Sequence, residues 1–305
     1  MKINVALACN NNFAYYCAET IVSLLVNTNK DIFYNFYIIE DNLSDEYKNR
    51  ILKLKDIKDC SIEFLKIDGD NEILINPMNS RLKLASLLPN VDKIIYTDCD
   101  VTFLDDLSEI WLEDFDEYYT GNMIEYRFNL ERNQKYFDYL TEEDKEKYNI
   151  KNHSFHFNSG FMVMNLKKIR EDHIEQELVN FLNKYKDKSK TLDQDAVNVV
   201  LYNKIKPVSI RWSLIVSYYL SKKIRINDKE LIKDYKYSLK HPKCVHFVAD
   251  KKPDKIYISI FHPFSFRKLN YYKMLFWKYV NFTDWKGEKT YKEIYKFPLN
   301  LFKNC

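Results

Sequence analysis

The chain has 305 residues, 46% of them apolar and 30% charged, a composition that suits one large soluble domain or one domain with an appendage. No run approaches the roughly 18 to 20 apolar residues of a membrane span, and Met1 to Ala8 turns polar too soon for a secretory signal, so a cytoplasmic protein is expected. The net charge of +3 hides an asymmetry: residues 251–305 carry 12 Lys and Arg against 4 Asp and Glu, with 15 aromatics, whereas residues 1–250 carry 35 against 40. Such an ending suits a membrane surface or an amphipathic helix capping the core, and the acidic remainder argues against nucleic acid.

The six cysteines, at positions 9, 17, 60, 99, 244 and 305, form no Cys-x-x-Cys pair. Their spacing argues against a zinc-thiolate site or a disulfide framework and predicts reduced, mostly buried thiols. Asn42, Asn152 and Asn281 begin glycosylation sequons, which a chain without an export signal does not use.

In chain order, Lys2 to Cys9 reads as a strand ending at the polar turn Asn10-Asn11-Asn12. From Phe13 to Val26, apolar residues recur at helical spacing. Phe33 to Ile39 and Ile62 to Ile67 read as strands, separated by a helix from Ser44, its N-cap, to Leu54. Strand and helix alternate, which predicts a parallel sheet. Ser80 to Leu88 reads as one helix stopped by Pro89, delivering Arg81 near the sheet's carboxyl edge.

The central strand starts at Lys93 and ends in Asp98-Cys99-Asp100. The two carboxylates are two residues apart at a strand end, where an α/β sheet places its ligand and where they could converge on one cation. Paired aspartates are also ordinary turn formers, and the chain repeats the pattern at Asp68/Asp70, Asp114/Asp116 and Asp193/Asp195.

Leu107 to Trp111 reads as a short helix, and residues 114–152 as a polar, aromatic insertion of functional-loop character. Phe157 to Asn165 is a strand, Leu166 to Tyr185 one helix, and Asp193 to Tyr202 a helix with Asp193 at its N-cap. Cys244 to Val248 closes a mixed region. One domain over residues 1–255 with a basic, aromatic tail over 256–305 is the expected division.

Four glycines, at 69, 121, 160 and 287, cannot write a Walker loop or a dinucleotide fingerprint. A bound nucleotide diphosphate would need a metal and basic side chains instead. His246 would complete an O/N donor set with Asp98 and Asp100 that suits Mn²⁺, with Mg²⁺ a lesser match; the competing reading is a core histidine. Lys251 and Lys252 follow it, placed to neutralise a leaving diphosphate.

Seven segments in register now support a resemblance: Ala8 to Phe13, Arg81 to Leu84, Ile95 to Val101, Phe157 to Phe161, Asn165 to Lys168, Asp193 to Asp195, and His246-Phe247 with Lys252-Pro253. Together, over residues 3–255, the chain resembles glycosyltransferase family 8, and within it the bacterial retaining transferases that extend lipopolysaccharide or lipooligosaccharide cores.

The resemblance implies a GT-A fold: a mixed, mainly parallel α/β sheet flanked by helices, followed by a basic aromatic helical tail resting on a membrane. It implies Mn²⁺ on Asp98, Asp100 and His246. It places Ala8, Asn10 and Asn12 at the uridine of a UDP-sugar, and Asp98, Cys99, Ala249 and Lys252 around the rest of UDP. Arg81, Asn158 and Asp193 would line the donor sugar, with Gln194 near its anomeric face and Asp193 the alternative catalytic group. The donor would be UDP-galactose, UDP-glucose or UDP-N-acetylglucosamine, and the acceptor a saccharide, lipid-linked where it belongs to a surface glycan. Three positions depart from the pattern: Asn10 stands where many members have aspartate, Ala249 where many have glycine, and Asp254 where many have tryptophan.

Two other readings fit the same residues. Asp98-Cys99-Asp100-Val101-Thr102 after a strand also fits a haloacid-dehalogenase-like phosphatase, although that class wants the strand near the N-terminus and a Gly-Asp-rich loop downstream. A non-catalytic nucleotide-sugar-binding module could carry the same ligand constellation.

Overall fold

In β1 (Lys2–Asn10), Ile3, Val5, Leu7 and Cys9 enter one core layer while Ala6 enters the other, the period-two pattern of a strand covered on both faces. Our computed structural model describes residues 1–29, 31–67, 76–125, 137–150, 156–189, 191–220, 228–248, 251–254 and 263–288. After β1 come α1 (Ala14–Asn27), β2 (Phe33–Asp41), α2 (Asp45–Leu52) and β3 (Cys60–Leu65). Ser44 caps α2 as expected, its hydroxyl accepting the Tyr47 amide.

The chain continues through α3 (Pro77–Ser80), α4 (Leu84–Leu87), β4 (Lys93–Thr97), β5 (Val101–Phe103), α5 (Ser108–Trp111), β6 (Thr120–Ile124) and α6 (Glu142–Lys147). Then follow β7 (Phe157–Asn165), α7 (Leu166–Glu171), α8 (Ile174–Tyr185), α9 (Asp193–Val200), β8 (Ile205–Val208), β9 (Leu214–Ile215), α10 (Lys229–Ser238), β10 (Cys244–His246) and α11 (Pro263–Val280).

The main sheet has the order β3-β2-β1-β4-β7-β6-β8. It is mixed and mainly parallel: β7 alone runs against its neighbours β4 and β6. Chain order reverses between β1 and β4, so the crevice outside their carboxyl ends is the natural ligand position. Ala6 pairs with Tyr96, which sets Ala8 level with Asp98. A smaller sheet, β5-β10-β9, continues from the same edge.

Two apolar layers cover the main sheet. One joins β1 to α1 and α11, and includes Leu269, Phe276, Trp277 and Val280; the other joins β4 and β7 to α4, α7, α8 and α9. The helix of the basic tail thus shares a core with the first strand. Of the aromatics of this tail helix, Phe276, Trp277 and Tyr279 are buried, while Tyr271, with Met274 and Lys278, forms the exposed stripe.

Four local expectations are corrected. Within the expected insertion 114–152, β6 is a fully buried strand between β7 and β8. Its sequence Thr-Gly-Asn-Met-Ile hides it, because Gly121 and Asn122 replace the usual apolar residues for local reasons. A Cβ on Gly121 would lie 2.1 Å from the Phe115 ring, and the Asn122 amide donates to the Asn158 carbonyl at 2.8 Å. The helix expected over 80–88 is split by a 3-10 turn at Arg81–Lys83. The helix expected over 166–185 breaks at His173, whose φ of 54° is left-handed. Leu192, at φ 39°, is the N-cap of α9, so Asp193 is its first residue and not its cap. Five cysteines (9, 17, 60, 99 and 244) are free and buried as expected; Cys305 lies outside the described residues.

Candidate active site

Sheet register assembles the acidic cluster. Thr97 pairs with Phe161, and the next residue, Asp98, donates its amide to the Gly160 carbonyl at 2.8 Å. His246 pairs with Val101 across β5 and β10, and the Phe247 amide donates to the Asp100 carbonyl at 2.9 Å, so the imidazole arrives beside the carboxylates. His246 Nε2 lies 3.5 Å from Asp98 Oδ2 and 3.2 Å from Asp100 Oδ1. One ligand atom from each of these three residues fits within 4.8 Å of the others.

Gly160 leaves the space they use. A Cβ there would lie 2.5 Å from the His246 ring and 2.7 Å from Asp98 Oδ2. Two hard carboxylates and one imidazole around such a cradle fit a divalent cation of the Mn²⁺ or Mg²⁺ kind.

The cations of the chain itself flank this cluster. Lys252 pairs with Asp100, and its ammonium lies 5.5 Å from the Phe13 ring centre, which brings the turn after β1 to the same place. Burial acts to push the Asp100 carboxyl upward, but His246 and Lys252 outweigh it and hold the group at about 2. For His246, burial acts to lower the imidazole, and the Asp100 and Asp98 carboxylates outweigh it and raise it.

Arg81 links the cluster to a second carboxylate. Its Nη2 lies 2.9 Å from Asp98 Oδ1, its Nε 3.4 Å from Asp193 Oδ2, and its Nη1 donates to the Ser159 carbonyl at 2.8 Å. The guanidinium also lies 4.3 Å from the Tyr96 ring centre, whose hydroxyl donates to Asp98 at 3.1 Å. Asp193 accepts the Ser159 hydroxyl at 2.8 Å. Burial raises its carboxyl to about 6 despite Arg81 and Ser159. Gln194 Oε1 accepts from Asn158 Nδ2 at 3.1 Å and from the Ser159 amide at 3.2 Å, which fixes both residues against the start of β7.

Arg81, Asp98, Asp100, Asn158, Asp193, Gln194, His246 and Lys252, far apart in sequence, are therefore brought together. Ala8, Asn10 and Asn12 stand at the adjoining end of β1, where the Asn10 side chain accepts the Asn12 amide at 3.1 Å. The Cys99 thiol turns inward and donates to the Ala8 carbonyl at 3.0 Å, away from the cleft. Ala249 lies outside the described residues. Sequence reasoning missed Tyr96, Ser159 and Glu125; the last approaches Asn158 Nδ2 at 3.5 Å. Ser159 lies inside a motif already singled out, but nothing in the sequence marks Glu125.

Residues 4–254 match the sequence profile of Glycosyl transferase family 8. A putative glycosyltransferase of Haemophilus influenzae is 29% identical over 219 residues, which cover 69% of this chain and 63% of that protein. The lipopolysaccharide 1,2-glucosyltransferase of Escherichia coli K12 is 24% identical over 313 residues, covering 97% of this chain and 85% of its own length. Among solved structures, the galactosyltransferase LgtC in complex with donor and acceptor sugar analogues superposes with a TM-score of 0.70 at 20% identity, over 94% of this chain and 100% of that one. That likeness carries the fold, and the profile carries the family, which sets aside the phosphatase and the non-catalytic binding module. The chain belongs to glycosyl transferase family 8 and is a glycosyltransferase enzyme with the GT-A fold.

Proposed function

We propose that the protein is a retaining hexosyltransferase that moves a hexose from a UDP-sugar to a saccharide acceptor, with Mn²⁺, or less well Mg²⁺, bound by Asp98, Asp100 and His246. The observation that carries this reading is the convergence of those three ligands beside Lys252 and beside the Arg81–Asp193–Gln194 group. When bound, the cation supplies Lewis-acid neutralisation of the diphosphate.

The site residues divide the work of binding the donor. Asn10 Oδ1 spends one lone pair on the Asn12 amide and keeps one for the uracil N–H. Asn12 and the backbone of Ala8 and Cys99 border the UDP, the resemblance assigns Ala249 to the same ligand, and Lys252 balances charge on the departing phosphate. Arg81, Asn158 and Asp193 orient sugar hydroxyls.

Retention of configuration requires either a covalent glycosyl-enzyme or attack on the face the leaving group departs from. Gln194 is a neutral amide whose oxygen already accepts two hydrogen bonds, and Asp193, 2% exposed, is occupied by Arg81 and Ser159. Neither presents a free nucleophile. We therefore favour same-face attack, in which the departing phosphate oxygen takes the acceptor's proton while Gln194 lines the anomeric face.

The similarity to a lipopolysaccharide glucosyltransferase supports an acceptor of the surface-glycan kind, met at the cytoplasmic face of a membrane. Among the described residues no helix is long and apolar enough to cross a membrane. Peripheral attachment would use Tyr271, Met274 and Phe282, which are 58%, 54% and 51% exposed, with Lys278 beside them. Serine at Tyr271, Met274 and Phe282 should abolish sedimentation with anionic vesicles and leave the buried face of α11 intact; unchanged sedimentation would refute the attachment.

The reaction is tested by UDP release from UDP-glucose, UDP-galactose and UDP-N-acetylglucosamine with Mn²⁺. Release from one of them, increased by a saccharide acceptor, is expected. No release from any of the three, with metal binding intact, would sink this reading.

A further inference from the structure

A second ligand cluster lies on the inner side of the same strand ends. Cys9 closes β1, Cys17 sits on the first turns of α1, and Cys99 lies between β4 and β5. One sulfur from each falls within 4.8 Å of the other two. Cys9 and Cys17 are fully buried and Cys99 is 5% exposed. Alternation along Asp98-Cys99-Asp100 sends the two carboxylates to the cleft and the thiol to the interior, so one tripeptide serves both clusters.

We propose that Cys9, Cys17 and Cys99 form a three-coordinate site for a soft, thiophilic cation, with Cu(I) as the ion it fits best. Three sulfurs around one centre at about 2.3 Å stand about 4.0 Å apart, within reach of the observed spacing after small χ1 adjustments. Thiolate ligands select soft ions over the hard divalent ions that suit Asp98 and Asp100. No histidine or carboxylate joins the three cysteines among the described residues, so the set is trigonal, where Zn²⁺ would want a fourth ligand.

Charge favours the same ion. In a buried site a monovalent cation is neutralised by one thiolate and a divalent ion by two, so the monovalent ion requires fewer buried thiols to ionise in low dielectric. Binding forms three Cu–S bonds, releases the proton of one thiol to solvent while the other two coordinate as neutral thiols, and changes no oxidation state. The hydrogen bonds that Cys9 and Cys99 now donate to the carbonyls of Asn10 and Ala8, at 3.4 and 3.0 Å, are weak enough to be exchanged.

The full chain, reduced and kept anaerobic, is titrated with Cu(I) against a chromophoric Cu(I) chelator. The wild-type protein should withdraw one equivalent, develop an ultraviolet sulfur-to-copper charge-transfer band and gain thermal stability. Cys17→Ser, and Cys17→Ala as a second variant checked by circular dichroism, should weaken the binding by at least about tenfold and lose the thermal gain. Cys60→Ala, which removes a buried thiol outside the cluster, should bind as the wild type does. Saturating Mn²⁺ should not compete. Failure of the wild type to take up one equivalent, equal binding by the folded Cys17 variants, or displacement by Mn²⁺ would each overturn the proposal. None of these readouts depends on sugar transfer.

Discussion

Arg81 Nη2 stands 2.9 Å from Asp98 Oδ1, so the first carboxylate of the acidic pair is oriented by a guanidinium from the split helix before β4. The same side chain holds Asp193. Arg81→Lys keeps the charge but not the fork geometry, and should lower kcat on the order of tenfold to a hundredfold with a smaller effect on stability. Arg81→Met should in addition destabilise the protein by about 3 to 5 kcal/mol, because Asp193 is left buried without its partner. Urea unfolding together with steady-state UDP release would check both.

Asp98→Asn and Asp100→Asn retain size and hydrogen bonding but remove negative charge. Each should reduce turnover by about 10² to 10³ and weaken Mn²⁺-dependent UDP binding in parallel. Calorimetric titration of UDP with and without Mn²⁺ is the measurement. Loss of turnover with metal-dependent UDP binding intact would contradict a ligand role for the pair.

Gly160→Ala places a methyl 2.5 Å from the His246 ring and 2.7 Å from Asp98 Oδ2. Of the two, the carboxylate moves more easily, so the fold should survive while the ligands are pushed apart. An overpacking cost of about 1 to 3 kcal/mol, felt mostly at the ligands, corresponds to roughly tenfold to a hundredfold weaker Mn²⁺ binding. Electron paramagnetic resonance of free Mn²⁺ would read this directly, and unaltered affinity would mean that Gly160 is not part of the cradle.

The residues that the site takes from strand ends were legible because each follows a recognisable apolar run: Asp98 and Asp100 after Lys93 to Thr97, Asn158 and Gly160 at the start of β7. His246 could be nominated but not placed. Its position depends on the antiparallel pairing of β10 with β5, a register between segments more than a hundred residues apart. β6 was illegible for a different reason. Gly121 is required by the Phe115 ring and Asn122 by the Asn158 carbonyl, so tertiary contacts replaced the apolar alternation by which a strand is recognised. The cysteine cluster was hidden in the same way, since linear spacing carries no information about ligands that meet only when β1, α1 and the β4–β5 turn pack together.

Asp193 makes stability depend on pH. Its carboxyl is raised to about 6, against about 3.9 in an unfolded chain, so the folded state binds the proton more tightly. The stabilisation this provides is fully present only well below the unfolded value of about 3.9, is lost as the pH rises through about 6, and is absent above. Asp193→Asn removes that dependence. The unfolding free energy of the wild type minus that of the variant should therefore fall by about 2 kcal/mol between pH 4 and pH 7, measured by urea titration without added metal. A difference that does not change with pH would show that Asp193 is not raised.

Lys252 is positioned from both sides of its loop. Trp277 of α11 donates its Nε1–H to the Pro253 carbonyl at 3.3 Å, and Tyr16 of α1 donates its hydroxyl to Asp254 at 2.5 Å. Asp254, which departs from the tryptophan found in many family members, is thus tied to α1, while an indole from the C-terminal helix lies against the same loop. Trp277→Phe and Tyr16→Phe each remove one donor worth about 0.5 to 1.5 kcal/mol net and preserve most of the ring packing. Each should raise the KM for the UDP-sugar about twofold to tenfold without loss of helical content. Because both bonds hold one four-residue segment, their effects should not add: the double variant should differ from the sum of the singles by more than about 0.5 kcal/mol. Strict additivity, or KM values equal to wild type, would mean that Lys252 is held by its pairing with Asp100 alone.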